Sequence, residues 1–151
     1  MQLLIRMHHL SKWAAQHSLG LLSRTIDVSI RVVYSARIPH HCTIHPTVHF
    51  SHNALAVVVT KEAIIGEGCQ IGTHVVLGSN WPEPGGPILE PNVIVHTGAK
   101  IFGPVVIGKG SVVGANAVVL DDVPAGCLVA GVPATIKKQG IDARQYRADG
   151  N

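Results

Sequence analysis

A branched aliphatic residue stands at every sixth position through the middle of the chain. Between Ile65 and Pro124 these positions are Ile65, Ile71, Leu77 and, after a break, Leu89, Val95, Ile101, Ile107, Val113 and Val119. Except after Leu77, where the break falls, the residue four further on is small or β-branched: Cys69, Val75, Val93, Ala99, Val105, Ser111, Ala117 and Val123. A helix repeats at about 3.6 residues and a half-buried strand at about 2, so neither accounts for the period. A repeat of six with turn-prone residues inside it predicts a parallel β-helix, three short strands and three corners forming each triangular coil. The competing β-sandwich alternates with period two and holds no six-residue register.

The first and fifth residues of each hexad are expected to face into the prism. The opposite walls cap the size of the fifth, and bulk there should overpack the core. Gly66, Gly72, Gly78, Gly108 and Gly114 recur at the second position, where a corner is expected to use glycine's backbone freedom. The period begins earlier, at Ile38, Ile44 and Phe50, and slips between Ala56 and Ile64, where nine residues stand in for six. In a regular prism an irregularity is where a site can be built. A second irregularity, Asn80 to Pro87, holds three prolines and two glycines. It predicts an excursion off the coil, with Trp81 exposed unless it packs on a neighbouring subunit or a ligand.

Residues 1 to 36 do not follow the period of six. Leu3, Leu4, Met7, Leu10 and Ala14 fall at helical spacing, as do Leu22, Ile26, Ile30 and Val33 after a break at Ser18-Leu19-Gly20. Two short amphipathic helices are predicted, with Arg6, Lys12, Arg24 and Arg31 on their outer faces. They read as a cap over the first coil or a neighbouring subunit, in preference to helices lying in a lipid interface. The organisation that follows is a helical cap over 1–36, an all-β, β-helical domain over 37–138, and a polar tail over 139–151 that is expected to fray.

Composition narrows this further. Hydrophobic residues make up 46% and charged residues 14% of 151, a surplus of apolar surface that suggests self-association. The net charge is only +3 and the basic residues are scattered, so nucleic acid is not an expected partner. Three cysteines without a CxxC spacing fit a reducing compartment, with Cys69 as a core filler. Neither a signal-peptide core nor an apolar run of membrane-spanning length is present. A cytoplasmic location without membrane contact is expected.

Residues 38 to 138 resemble the hexapeptide-repeat acyltransferases, and among them the serine acetyltransferases and their colanic-acid-type exopolysaccharide relatives. The resemblance rests on Ile44-His45-Pro46, on His52 through Ile65, on Ile71 through Gly78, on Gly98 through Gly103, on Gly114 through Val119, and on Val129-Ala-Gly-Val-Pro-Ala134. It implies a left-handed β-helix, a homotrimer, and O-acetyl transfer from acetyl-CoA to an L-serine or sugar hydroxyl. His52 occupies the place of the family's general base, a task that suits an imidazole, which titrates near about 6.5. His74 matches a histidine of the exopolysaccharide relatives and is a second catalytic candidate. Carried over by position, Ser79, Asn80, Thr97 and Ala115 would line the acetyl-CoA groove, with Lys137 and Lys138 near its phosphates. The Asp that precedes the family's catalytic His is Ser51 here, and the second His of the serine acetyltransferases corresponds to Gly86.

Two other classes compete. A γ-carbonic anhydrase-like enzyme would hold zinc with three His between subunits; His40, His41, His45, His49, His52, His74 and His96 supply material, but no triad follows from spacing, and no metal is expected. The second is a catalytically silent scaffold.

Overall fold

The computed structural model describes residues 2–147. Helices α1 (Leu3–Gln16) and α2 (Gly20–Tyr34) precede a triangular, left-handed parallel β-helix of about four coils. The first face stacks β1 (Thr43–Ile44), β4 (Ile64–Ile65), β7 (Ile88–Leu89) and β10 (Val106–Ile107). The second stacks β2 (His49–Phe50), β5 (Gln70–Ile71), β8 (Ile94–Val95), β11 (Val112–Val113) and β13 (Cys127–Ala130). The third stacks β3 (Val58–Val59), β6 (Val76–Gly78), β9 (Lys100–Phe102) and β12 (Val118–Val119). A final strand, β14 (Thr135–Gln139), turns back antiparallel on β13 and ends the second face.

The hexad pattern sets the core. Ile65, Ile71, Leu77, Leu89, Val95, Ile101, Ile107, Val113 and Val119 are buried, and so are the fifth-position residues from Cys69 to Val123. Such narrow, aliphatic packing makes each fifth position intolerant of added volume. Register locates the irregularities. Ile88 and Val106 pair at the regular 18 residues, whereas Thr43 pairs with Ile64 after 21 and Ile64 with Ile88 after 24. Three extra residues therefore lie in the first coil and six in the second.

Two expectations about the corners are corrected. The three extra residues lie between Phe50 and Val59, not after Ala56: Phe50, Ala54, Val57 and Val59 all point inward, so the bulge is the turn between β2 and β3. Nor do the second-position glycines serve a left-handed backbone. Their φ values are not positive; what they provide is room for the next coil. A Cβ on Gly72 would sit 2.5 Å from the Thr97 nitrogen, and one on Gly66 2.8 Å from the Leu89 oxygen. The left-handed residues come two positions later, at Asn53, His74, Gly98 and Asn116 along one corner.

The first coil exposes unpaired strand edges that need partners, and α1 supplies most of them. The Gln2 side chain donates to the Phe50 carbonyl at 2.8 Å and accepts from the Phe50 N–H at 2.9 Å. His9 Nε2 lies 3.0 Å from the Ile44 oxygen, and Lys12 Nζ donates to the Cys42 oxygen and Thr43 Oγ1, each at 3.1 Å. Lys12 thus faces the prism and not the outer face expected for it. Leu4, Ile5 and Ile30 join the prism core. Asp27 of α2 also turns inward, accepting from Ser11 Oγ at 2.7 Å and pairing with His40 Nδ1 at 2.7 Å.

The end of the chain is better anchored than a frayed tail. Residues 139–147 continue β14 and form a short turn, Ala143–Tyr146, whose Ala143 packs on Ile94 and Val112 outside the second face. Burying those two outward-facing aliphatics is the force that holds it, and Arg147 donates to the Gly68 carbonyl at 2.7 Å. The Ala-Asp-Gly-Asn terminus lies outside the described residues.

Candidate active site

The bulge between β2 and β3 is built from residues in an unusual backbone conformation. His52, Asn53, Ala54 and Ala56 have φ of 47°, 56°, 62° and 56°, a left-handed region that costs an L-residue about 1–2 kcal/mol. Such strain persists only where neighbours over-determine it, and it gathers at functional sites. Here the neighbours are the buried Phe50, Ala54 and Val57, together with the Val57 N–H donating to the Ala54 carbonyl at 3.0 Å. The turn pushes His52 to the outside of the corner, where its ring is exposed.

One backbone ladder continues this corner upward. The His74 N–H donates to Leu55 O at 2.9 Å, Gly98 N–H to Thr73 O at 2.9 Å, and Asn116 N–H to Thr97 O at 3.0 Å. His52, His74, Thr97 and Ala115 therefore lie along one edge between the second and third faces, and all four are exposed. Small side chains at Thr97 and Ala115 leave the edge low, so an extended ligand can approach the wall. Backbone groups at such a corner are candidates to bind a developing oxyanion, because their dipoles are fixed before reaction.

The remaining candidates lie elsewhere on the chain. Ser79 and Asn80 begin the excursion at the opposite corner of the third face; Ser79 Oγ is 2.9 Å from Thr60 Oγ1, which donates to Glu62 at 2.6 Å. This corner borders an open groove of about 910 Å³ between α2, the strap at Arg37–His41 and the excursion. Trp81 is 86% exposed beside it. Lys137 and Lys138 are exposed on β14, with Lys137 donating to Thr135 at 2.8 Å. A single chain thus gathers the two histidines with Thr97 and Ala115, and separates them from Ser79, Asn80 and the lysine pair.

His96 adds to the histidine corner a group that the hexad reading noted only as metal-binding material. It is a second-position residue stacked between Gly72 and Gly114, half-buried, and burial lowers its pKa. A histidine between two glycines, in a column otherwise of small residues, was the available signal. Cys69 is buried, and burial pushes its thiol up to about 11, which suits a core filler and not a nucleophile. Among the described residues, no group of three His, Cys, Asp or Glu side chains is arranged to hold a metal ion. No described helix is long and apolar enough to cross a membrane.

No protein-family model matches the chain. It is similar to the serine acetyltransferases of Synechococcus elongatus, 32% identical over 85% of this chain and 53% of that protein, and of Mycobacterium tuberculosis, 34% identical over 85% and 57%. Among solved structures it matches a serine acetyltransferase in complex with cysteine, at 30% identity and a TM-score of 0.85, over 90% of this chain and 53% of the other. It also matches a serine acetyltransferase in complex with coenzyme A from Brucella abortus, at 26% identity and a TM-score of 0.85, over 89% and 54%. The chain spans about half the length of these relatives.

Proposed function

We propose that this chain, similar over 85% of its length to serine acetyltransferases, is an acetyl-CoA-dependent O-acetyltransferase of the hexapeptide-repeat kind with its site on the His52 corner. The observation that carries this reading is the strained bulge that lifts His52 out of an otherwise regular prism, at the foot of an edge shared with His74, Thr97 and Ala115. The structural relatives that bind coenzyme A and cysteine support the choice of ligands.

In this mechanism His52 accepts the proton of the acceptor hydroxyl as its oxygen attacks the thioester carbonyl. Backbone N–H groups of the corner stabilise the tetrahedral oxyanion. Collapse breaks the C–S bond, and the proton passes from His52 to the departing thiolate, leaving an acetyl ester and free CoA. His74, one coil above, assists by binding the acceptor or sharing the proton. Thr97 and Ala115 line the path of the pantetheine arm, with Ser79, Asn80, Lys137 and Lys138 gripping the rest of acetyl-CoA. Because these groups are scattered over one chain, the complete site lies at a seam between neighbouring prisms of a homotrimer.

The acceptor is an L-serine or a sugar hydroxyl. Ser51 stands where the family has Asp, which removes a carboxylate suited to an ammonium group and favours a neutral sugar. Release of free thiol from acetyl-CoA, followed with L-serine and with a panel of sugars, tests the reading. Acceptor-dependent release supports it, and CoA binding without transfer to either class would contradict it.

A further inference from the structure

We propose that the outward face of α2 docks in the plane of an anionic lipid surface. This stands apart from the acetyl-transfer reading. It also revises the expectation of no membrane contact, because the exposed face of this helix carries an apolar stripe beside the expected Arg24 and Arg31.

Leu21, Leu22, Val32 and Val33 lie on the exposed side of α2, with Val28 at its edge lining the open groove beside the prism, and the five are between 44% and 83% exposed. At helical spacing they form one continuous stripe. The polar residues within the stripe are turned back on the helix: Thr25 Oγ1 donates to the Leu21 carbonyl at 2.9 Å and Ser29 Oγ to the Thr25 carbonyl at 2.8 Å. Hydroxyls bonded in this way offer an outside partner little polarity. Arg24 and Arg31, seven residues apart and both exposed, run along the edge of the stripe where the helix borders the open groove, across which stand Glu62 and Glu83.

Charge identifies the occupant. Residues 2–37 carry five basic side chains, Arg6, Lys12, Arg24, Arg31 and Arg37, against one acid. That acid, Asp27, is held inward by Ser11 and His40. The rest of the chain has seven basic and eight acidic residues, so the whole positive balance of the protein sits on the helical hairpin. An apolar stripe with a basic border and no outward acid complements a membrane interface rich in anionic headgroups. A helix of 15 residues, too short to span a bilayer, would lie along that surface.

Flotation of the full chain with vesicles provides the test, using phosphatidylcholine alone or mixed with phosphatidylglycerol, at low and high salt. The chain is expected to float with the mixed vesicles at low salt and to be released by high salt. V28E with V32E should abolish flotation. R24Q with R31Q should weaken it by roughly fivefold for each arginine removed, from about 1 kcal/mol per basic residue at an anionic surface. Thermal melting checks folding of both variants; should the glutamate pair melt early, the arginine pair and the salt dependence decide. Absence of flotation, or equal flotation on phosphatidylcholine, would overturn the proposal. So would a wild-type oligomer that V28E with V32E splits to half its mass, since the face would then be covered by protein.

Discussion

The His74 backbone N–H donates to the carbonyl of Leu55 at 2.9 Å, fastening the turn that carries His52 to the corner of the next coil. Through this bond, two histidines separated by one full coil, a strand of each of the three faces, share one exposed edge. The strain of four left-handed residues around His52 is held by this bond and by the buried side chains beneath it.

Replacing His52 with alanine removes the proton acceptor and leaves the prism wall intact, since the side chain is exposed. Acceptor-dependent thiol release should fall by about 10²–10⁴-fold, with CoA binding unchanged by calorimetry. Retained turnover would remove His52 from the chemistry.

Ala56→Gly relieves one of the left-handed alanines of the bulge, and the gain is partly offset by the added freedom of the unfolded chain. Stability should rise by up to about 1 kcal/mol, read as a higher midpoint in urea with an unchanged slope. A lower midpoint would show that the alanine φ of 56° is not strained.

Gly72→Ala places a methyl against the backbone of Thr97, which cannot move without parting two coils. The expected cost is about 1–3 kcal/mol. Gly110→Ala is the control: its Cβ would enter open space, and its only penalty is a φ of 66°. Greater damage at Gly110 than at Gly72 would show that backbone freedom, not room for the next coil, decides the cost.

The hexad register was legible because a single residue in six carries the burial of each strand, and Ile65 through Val119 all face inward as their spacing requires. The position of the bulge was harder to read. Val57, Val58 and Val59 look alike in sequence, so nothing before folding says which of them resumes the register; the buried Ala54 and Val57 decide it. The folded tail was missed because its anchor, Ala143, is a small residue in a polar stretch whose partners Ile94 and Val112 lie far away in sequence. His52 and His74 were legible as motif residues. The repeat itself places them one coil apart on the same face; what no local pattern encodes is the Leu55 hydrogen bond that fastens the bulge between them.

His8 of α1 is fully buried, and neither ring nitrogen has a partner among the described residues. Burial, with help from His9 and Lys12, lowers its pKa from 6.5 to about 4. Between those values the unfolded chain holds more protons than the folded one, so stability falls as pH drops through this window and levels off below it. The loss attributable to His8 is about 3 kcal/mol. His8→Leu should therefore gain on the wild type by that amount between pH 7 and pH 4 in urea titrations; a constant difference would mean that His8 does not titrate on unfolding.

Complementation between chains tests the shared seam most directly. His52→Ala and Asn80→Trp, each inactive alone, are co-expressed with different tags, and oligomers carrying both tags are isolated. In a cyclic trimer every mixed assembly has one seam that joins an intact His52 to an intact Asn80, so thiol release should recover to about a third of the wild-type rate. Mixed oligomers as inactive as their parents would contradict a site built from two chains.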